Sequence, residues 1–184
     1  MKKFLLITMA IAVTLTGEIN IASKFGVGSK VANILNKYGK PDRITVNYFA
    51  YNNQPLSGKN TTKVYYHHNG KVFMAAYFID TSSDGNSCID EYLNINNLLI
   101  KKYGKMGKYI EWKNDLFRND KSKYGTALLA GFLKIQYDKS IGNITIIHKL
   151  YASEYRAYHV LMYIDSKAQK DYLEWKARKN KDDL

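Results

Sequence analysis

Cysteine and proline are nearly missing from this chain. Of its 184 residues one is Cys, at position 88, and two are Pro, at 41 and 55. A lone cysteine excludes an intramolecular disulfide and any structural zinc site built on paired cysteines, so packing must supply the stability. Scarce proline beside an ordinary apolar content excludes a disordered chain. There is no His-x-x-x-His pair and no Gly-x-Ser-x-Gly elbow. Gly26-Val27-Gly28-Ser29-Lys30 lacks the spacing of a phosphate loop, and no strand precedes it; Ser29 reads better as the N-cap of a helix. The four histidines are His67, His68, His148 and His159. The first two, adjacent in a strand, point to opposite faces; the last two flank a hairpin loop and can be cross-strand neighbours, with no carboxylate at ligand spacing. No metal, no cofactor and no catalytic residue is expected, and Cys88 falls on the apolar face of a helix, where it is a core residue.

What is present is tyrosine and positive charge. Sixteen Tyr stand against seven Phe, and the formal net charge is +12. Tyr suits strands and half-buried surfaces, where the ring packs and the hydroxyl stays wet. A positive field favours anionic partners, although a Lys- and Asn-rich composition also arises from genome bias. Lys2-Lys3 followed by an apolar run over 4–15 reads as a signal peptide, too short to span a bilayer, with a cut after Ala22. No other stretch can span a membrane. Export takes the chain away from nucleic acid, and its arginines form no cluster, so nucleic acid is not an expected partner.

Seven residues occur twice: Ile34-Leu35-Asn36-Lys37-Tyr38-Gly39-Lys40 and Leu99-Ile100-Lys101-Lys102-Tyr103-Gly104-Lys105. Each copy ends a helical pattern and leads into strands. The units close alike, on Tyr77-Phe78-Ile79-Asp80 and Met162-Tyr163-Ile164-Asp165. This is an internal repeat. The predicted domains are a leader over 1–22, a first unit over 23–84, a second over 85–165, and a C-terminal helix and tail over 166–184. In the first unit Val31, Ile34, Leu35 and Tyr38 share a helix face. A strand follows at 44–48, a loop over 52–60 and a strand at 61–68. An Asn69-Gly70 turn then leads into a central strand at 71–80. In the second, Ser87-x-x-Asp90 resembles a capping box, and Cys88, Tyr92, Ile95, Leu99 and Tyr103 make the apolar face. Strands are expected at 106–112, 128–137, 144–150 and 155–164. An amphipathic helix at 166–179 has Ala168, Tyr172 and Trp175 on one face. The fold class is α+β: two related units, each a helix followed by an antiparallel meander, joined in one sheet or face to face, with a C-terminal amphipathic helix.

Gly26 to Val31, then Tyr38-Gly39-Lys40-Pro41, then three strands, resembles a bacterial envelope superfamily. Its members include the small lipoprotein of the outer-membrane assembly machinery and the secreted beta-lactamase inhibitor proteins. The lipid-bearing cysteine is absent here, and the span from Val31 to Gly39 is longer by about one helical turn. Trp112 and the run Tyr124 to Gly131 also resemble uncharacterised exported bacterial proteins. The resemblance implies helices against an antiparallel sheet, the unit twice in tandem, and protein–protein interaction on the sheet face, with no catalytic residue to carry over.

The expected function is a non-catalytic interaction module, exported to the periplasm or beyond, that recognises an envelope protein through a Tyr-rich basic sheet face. Tyr48 with Tyr65 and His67, or with Tyr66 and His68 on the opposite face, are the candidate contacts. A binder of acidic envelope glycan or lipid is the alternative, and a hydrolase-type enzyme with a site at the junction of the units is a third.

Overall fold

A computed structural model describes residues 24–182. The leader and its cut site, and the last two residues of the tail, lie outside the described residues. The elements are α1 (Val31–Tyr38), β1 (Arg43–Ile44), β2 (Tyr48–Leu56), β3 (Lys59–His68), β4 (Lys71–Ile79), α2 (Gly85–Tyr103), β5 (Gly107–Trp112), α3 (Tyr124–Leu129), β6 (Leu133–Ile141), β7 (Ile144–Ser153), β8 (Arg156–Asp165) and α4 (Ser166–Asp182). Two short 3-10 turns, Asp115–Phe117 and Lys121–Lys123, lie between β5 and α3. No described helix is long and apolar enough to cross a membrane.

All eight strands form one antiparallel sheet in the order β1-β2-β3-β4-β8-β7-β6-β5. The order is symmetric about its middle. The last strand of the first unit pairs with the last strand of the second, from Met74 opposite Ile164 to Ile79 opposite His159. Of the two arrangements open from the sequence, the units take the continuous sheet. The two copies of the repeat end α1 and α2 in the same way. Gly39 and Gly104 take φ of 76° and 77°, and their N–H groups donate back to Leu35 and Ile100. A left-handed residue closes a helix at no Cβ cost only as glycine, which accounts for Lys-Tyr-Gly in both units.

One face of the sheet carries the core. Ile34 of α1, the buried stripe Cys88, Tyr92, Ile95 and Leu99 of α2, and Ala127 and Leu128 of α3 pack on Phe49, Tyr65, Val72, Tyr77, Ile135, Ile146 and Leu161. Phe25, just ahead of α1, stacks on Tyr163 with ring centres 3.7 Å apart and meets Tyr77 edge-on. It therefore spans the seam between the units. The two copies of the motif converge there as well, since both Tyr38 and Tyr103 act on the phenol of Tyr77.

Several local expectations need correction. Ser29 does not cap α1. Lys30 occupies the N-cap without a side-chain bond, and the segment is tied instead to the β3–β4 hairpin by Gly28 N–H to Val72 O and Val31 N–H to Gly70 O. The cap of α2 is Asp84, whose carboxylate accepts from Ser87 N–H at 2.7 Å, one turn before the expected box. The strand expected at 44–48 is split by a turn in which Thr45 Oγ1 accepts from Tyr48 N–H. The loop expected at 52–60 is mostly strand. β2 continues past an irregularity between Tyr51 and Gln54 to a Ser57-Gly58 turn. Pro55 is tolerated because β1 pairs only with Phe49 and Ala50, so beyond them β2 is an edge. Finally, 128–137 is divided: Leu128 and Leu129 end α3, and β6 starts at Leu133.

α3 explains the run from Tyr124 to Gly131. Tyr124 donates to Arg118 O and meets the Trp112 ring edge-on, while Ala127 and Leu128 are fully buried. Gly125 lies against Gly85 at the start of α2, and its N–H donates to Asn86 Oδ1. A methyl group added at Gly85 would land on the Gly125 carbonyl, and one added at Gly125 would land on the Asn86 backbone. Gly85→Ala should therefore force the two helix starts apart and cost about 1–3 kcal/mol, as overpacking does. Thermal melting checks this; an unchanged midpoint would mean that the helices slide freely.

Candidate functional site

The other face of the sheet is the candidate site. Alternation places Tyr48, Ala50, Thr62, Val64, Tyr66, Ala76 and Phe78 of the first unit on it. Tyr109, Glu111, Lys134, Gln136, Lys149, Tyr151, Tyr158 and Met162 of the second unit share it. Only α4 lies on this side, packed over one end of β4 and β8. Tyr172 stacks on Phe73 at 4.9 Å, and Trp175 sits 4.7 Å from the His68 ring. Phe73 reaches this face because β4 carries an extra residue where Tyr66 pairs with Met74 and His67 with Val72.

The uncovered part is aromatic and grooved. Tyr48 and Tyr66 lie 5.7 Å apart, and Tyr151 and Tyr158 stack at 5.2 Å. A groove of about 440 Å³ runs between Asp42 and Arg43 on one side and Tyr48, Val64 and Tyr66 on the other. It meets a second, of about 540 Å³, along Thr62 and Phe78, which line both; the second continues to Ser82, Arg156 and Tyr158. The Tyr66 phenol is pushed up by burial and then by Tyr48 and Tyr151. Charge sits toward β5–β7. Glu111 and Lys134 pair at 2.8 Å. Lys149 lies 4.9 Å from the centre of the Tyr151 ring, its ammonium pushed down by burial and by Lys134.

The candidate contacts are separated by this arrangement. Tyr48 and Tyr66 are neighbours on the open face. Tyr65 is fully buried on the opposite side, where it packs with Phe49, Tyr38 and Tyr51, so it has no surface to offer a partner. His67 lies on that side too, half-buried 5.8 Å from Phe49, and His68 is beneath α4. The sequence reading missed Phe78, Tyr151, Tyr158 and Lys149. Their strands were legible, but which alternate set faced the helices was not, because both sets are apolar.

No family model matches this chain, and neither do the curated proteins or the solved structures. Cys88 and the pair His148 and His159 are placed as packing groups of the core. Cys88 is buried and donates its S–H to Ser82 O at 3.1 Å, with burial pushing its thiol pKa up. That is the opposite of an activated nucleophile. His148 and His159 do meet across the hairpin, Nε2 to Nε2 at 2.7 Å, but both are sealed in the core. Tyr92 stacks on His148 at 4.1 Å and donates its hydroxyl to the His148 carbonyl. Burial holds His148 down to about 2 and His159 to about 4. Among the described residues no group of three or more His, Cys, Asp or Glu is placed to hold a metal ion. Lys63 is buried on the same side among the rings of Tyr38, Tyr65 and Tyr77.

Proposed function

We propose that the open sheet face is a protein-recognition surface and that the chain is a non-catalytic interaction module exported to the bacterial envelope. One observation carries the reading: helices cover one face, while the other leaves Tyr48, Tyr66, Phe78 and Tyr158 along two adjoining grooves, with Tyr151 stacked on Tyr158 beside them. Tyrosine gives large, stiff contact area with a polar tip, which is why it is enriched at interface cores. Lys134 and Lys149 on the flank add orientation and on-rate. The resemblance to the beta-lactamase inhibitor proteins, which implies sheet-face recognition, points the same way, as does the leader-like N-terminus.

The test is retention in washed cell envelopes, followed by crosslinking. Tyr66→Ala and Tyr151→Ala, at half-buried positions away from the core, should each weaken retention about tenfold or more, the loss expected of a central interface aromatic. Melting temperature should change little. Retention that survives both substitutions would sink the reading. An acidic glycan or lipid is the competing ligand, favoured by Lys149 beside Tyr151. It predicts release by high salt and loss on Lys149→Ala, whereas a tyrosine-centred interface persists in salt.

A further inference from the structure

The two edges of the sheet are not alike. At one, β1 is two residues long and follows Pro41. At the other, β5 runs for six residues with no proline and no bulge, and Tyr109 and Ile110 are 51% and 41% exposed. An unprotected edge of this length is a template for another strand.

The backbone of β5 has a definite polarity. Just past its end, Lys113 N–H donates to Phe132 O at 2.9 Å, which continues the β5–β6 register. Bonding alternates along an antiparallel strand, so Tyr109 and Glu111 bond to β6. Lys108, Ile110 and Trp112 point their N–H and C=O groups outward.

We infer that β5 is a self-association edge, where a second copy of this chain pairs antiparallel with its Ile110 opposite our Ile110. This register uses all three outward residues. Ile110 faces its own copy, Lys108 faces Trp112 of the other chain as a cation beside a ring, and Tyr109 faces Glu111. A shift by two residues in one direction would set Glu111 against Glu111, and in the other would leave Trp112 unpaired. The chain already uses this mode of joining internally, at the β4–β8 seam. Because strands paired this way share their faces, the two open faces would adjoin on one side as a single surface.

Each copy carries a net charge of +12, so repulsion opposes pairing and screening relieves it. The dimer should be weak and should tighten as salt rises, the reverse of an acidic ligand. Sedimentation equilibrium over a range of protein and salt concentrations reads this directly. Ile110→Pro is the decisive variant. It removes an N–H that points away from β6, so β6 pairing and the melting temperature should hold, while the dissociation constant rises at least about tenfold. Ile110→Lys, which sets two cations face to face, should do the same. A chain monomeric at every concentration and salt, or a dimer that persists in both variants, overturns the inference. The tyrosine substitutions on the open face should leave the dimer intact, so the two proposals fail separately.

Discussion

Lowering the pH from 6.5 to about 4.5 should strip this protein of several kcal/mol of stability, and His148 and His159 should account for most of the loss. Both rings are held far below the ordinary histidine value by burial; their mutual repulsion when charged adds to this for His148, and Lys59 adds for His159. In the unfolded chain both titrate near 6.5. Below that pH the unfolded state takes up protons that the folded state refuses, so stability falls as pH falls. Each group contributes up to roughly 1.4 kcal/mol per pH unit until its folded pKa is reached. The groups around the pair cannot reverse the sign. Tyr92 of α2, its phenol pushed up by burial, stays neutral in this range, and Glu91 is engaged by Lys59 at 2.7 Å. The carboxylates with depressed values, Asp84, Glu111 and Asp120, lose their contribution only as pH falls below their ordinary range near 4. His67, also pushed down by partial burial, adds a smaller slope of the same sign.

The variant must remove both rings, because one alone would leave its partner's Nε2 unpaired beside an already unpartnered Nδ1. His148→Phe keeps a flat ring on Tyr92, and His159→Leu fills the neighbouring space. The double variant should lose most of the slope between pH 4.5 and 6.5 in urea unfolding, with only the His67 share remaining. An unchanged slope would show that the two rings titrate normally in the folded protein, which a sealed pair cannot do.

How much of this was legible beforehand depends on which physical signal each element carries. The repeat was plain because glycine after a helix is a local requirement, and it recurs at Gly39 and Gly104. The helical stripe of α2 was equally plain, since Cys88, Tyr92, Ile95 and Leu99 have one spacing and one destination. The adjacency of His148 and His159 could be guessed from a hairpin, but not their burial beneath Tyr92, which comes from α2, 56 residues before His148. The irregularity in β2 and the turn at Thr45 were lost because they depend on side chains bonding to backbone. The candidate site was half legible. Adjacent Tyr65 and Tyr66 had to face opposite ways, yet both flanking sets of β3 are apolar or aromatic, and only the helices decide which is covered. Only the end of α3, Leu128 and Leu129, falls in the strand expected at 128–137, because both lie in an apolar run, and the rest of the helix carries no local signal. What marks the helix is Gly125 against Gly85, a contact no local window contains.

Replacing Lys63 by methionine should raise the melting temperature. Its ammonium lies 4.6, 4.9 and 5.5 Å from the ring centres of Tyr65, Tyr77 and Tyr38. No carboxylate pairs with it among the described residues. Burial, then Lys37, lowers its pKa to about 8. Burial and the Lys37 ammonium both disfavour the charged form, against the attraction of the three rings for the cation. At neutral pH the folded protein therefore carries a charge it would be better without. An apolar side chain of similar length should stabilise by about 1–4 kcal/mol, as when other buried charges are replaced. Methionine suits the space because its sulfur also packs well on rings. At roughly 2–4 °C per kcal/mol for a chain of this size, the gain is easily measured. The pH dependence gives a second readout. Between pH 8 and 10 the unfolded chain holds the Lys63 proton that the folded chain releases, so wild-type stability should rise across that window relative to the variant, in which Cys88 and Lys149, shifted in opposite senses, still titrate. Above pH 10 the sign turns. Tyr65, Tyr77 and Tyr163 have phenols pushed up by burial, so they ionise first in the unfolded state and draw both proteins toward it. A Lys63→Met protein less stable than wild type at neutral pH would show that attraction to the three rings outweighs the loss of water.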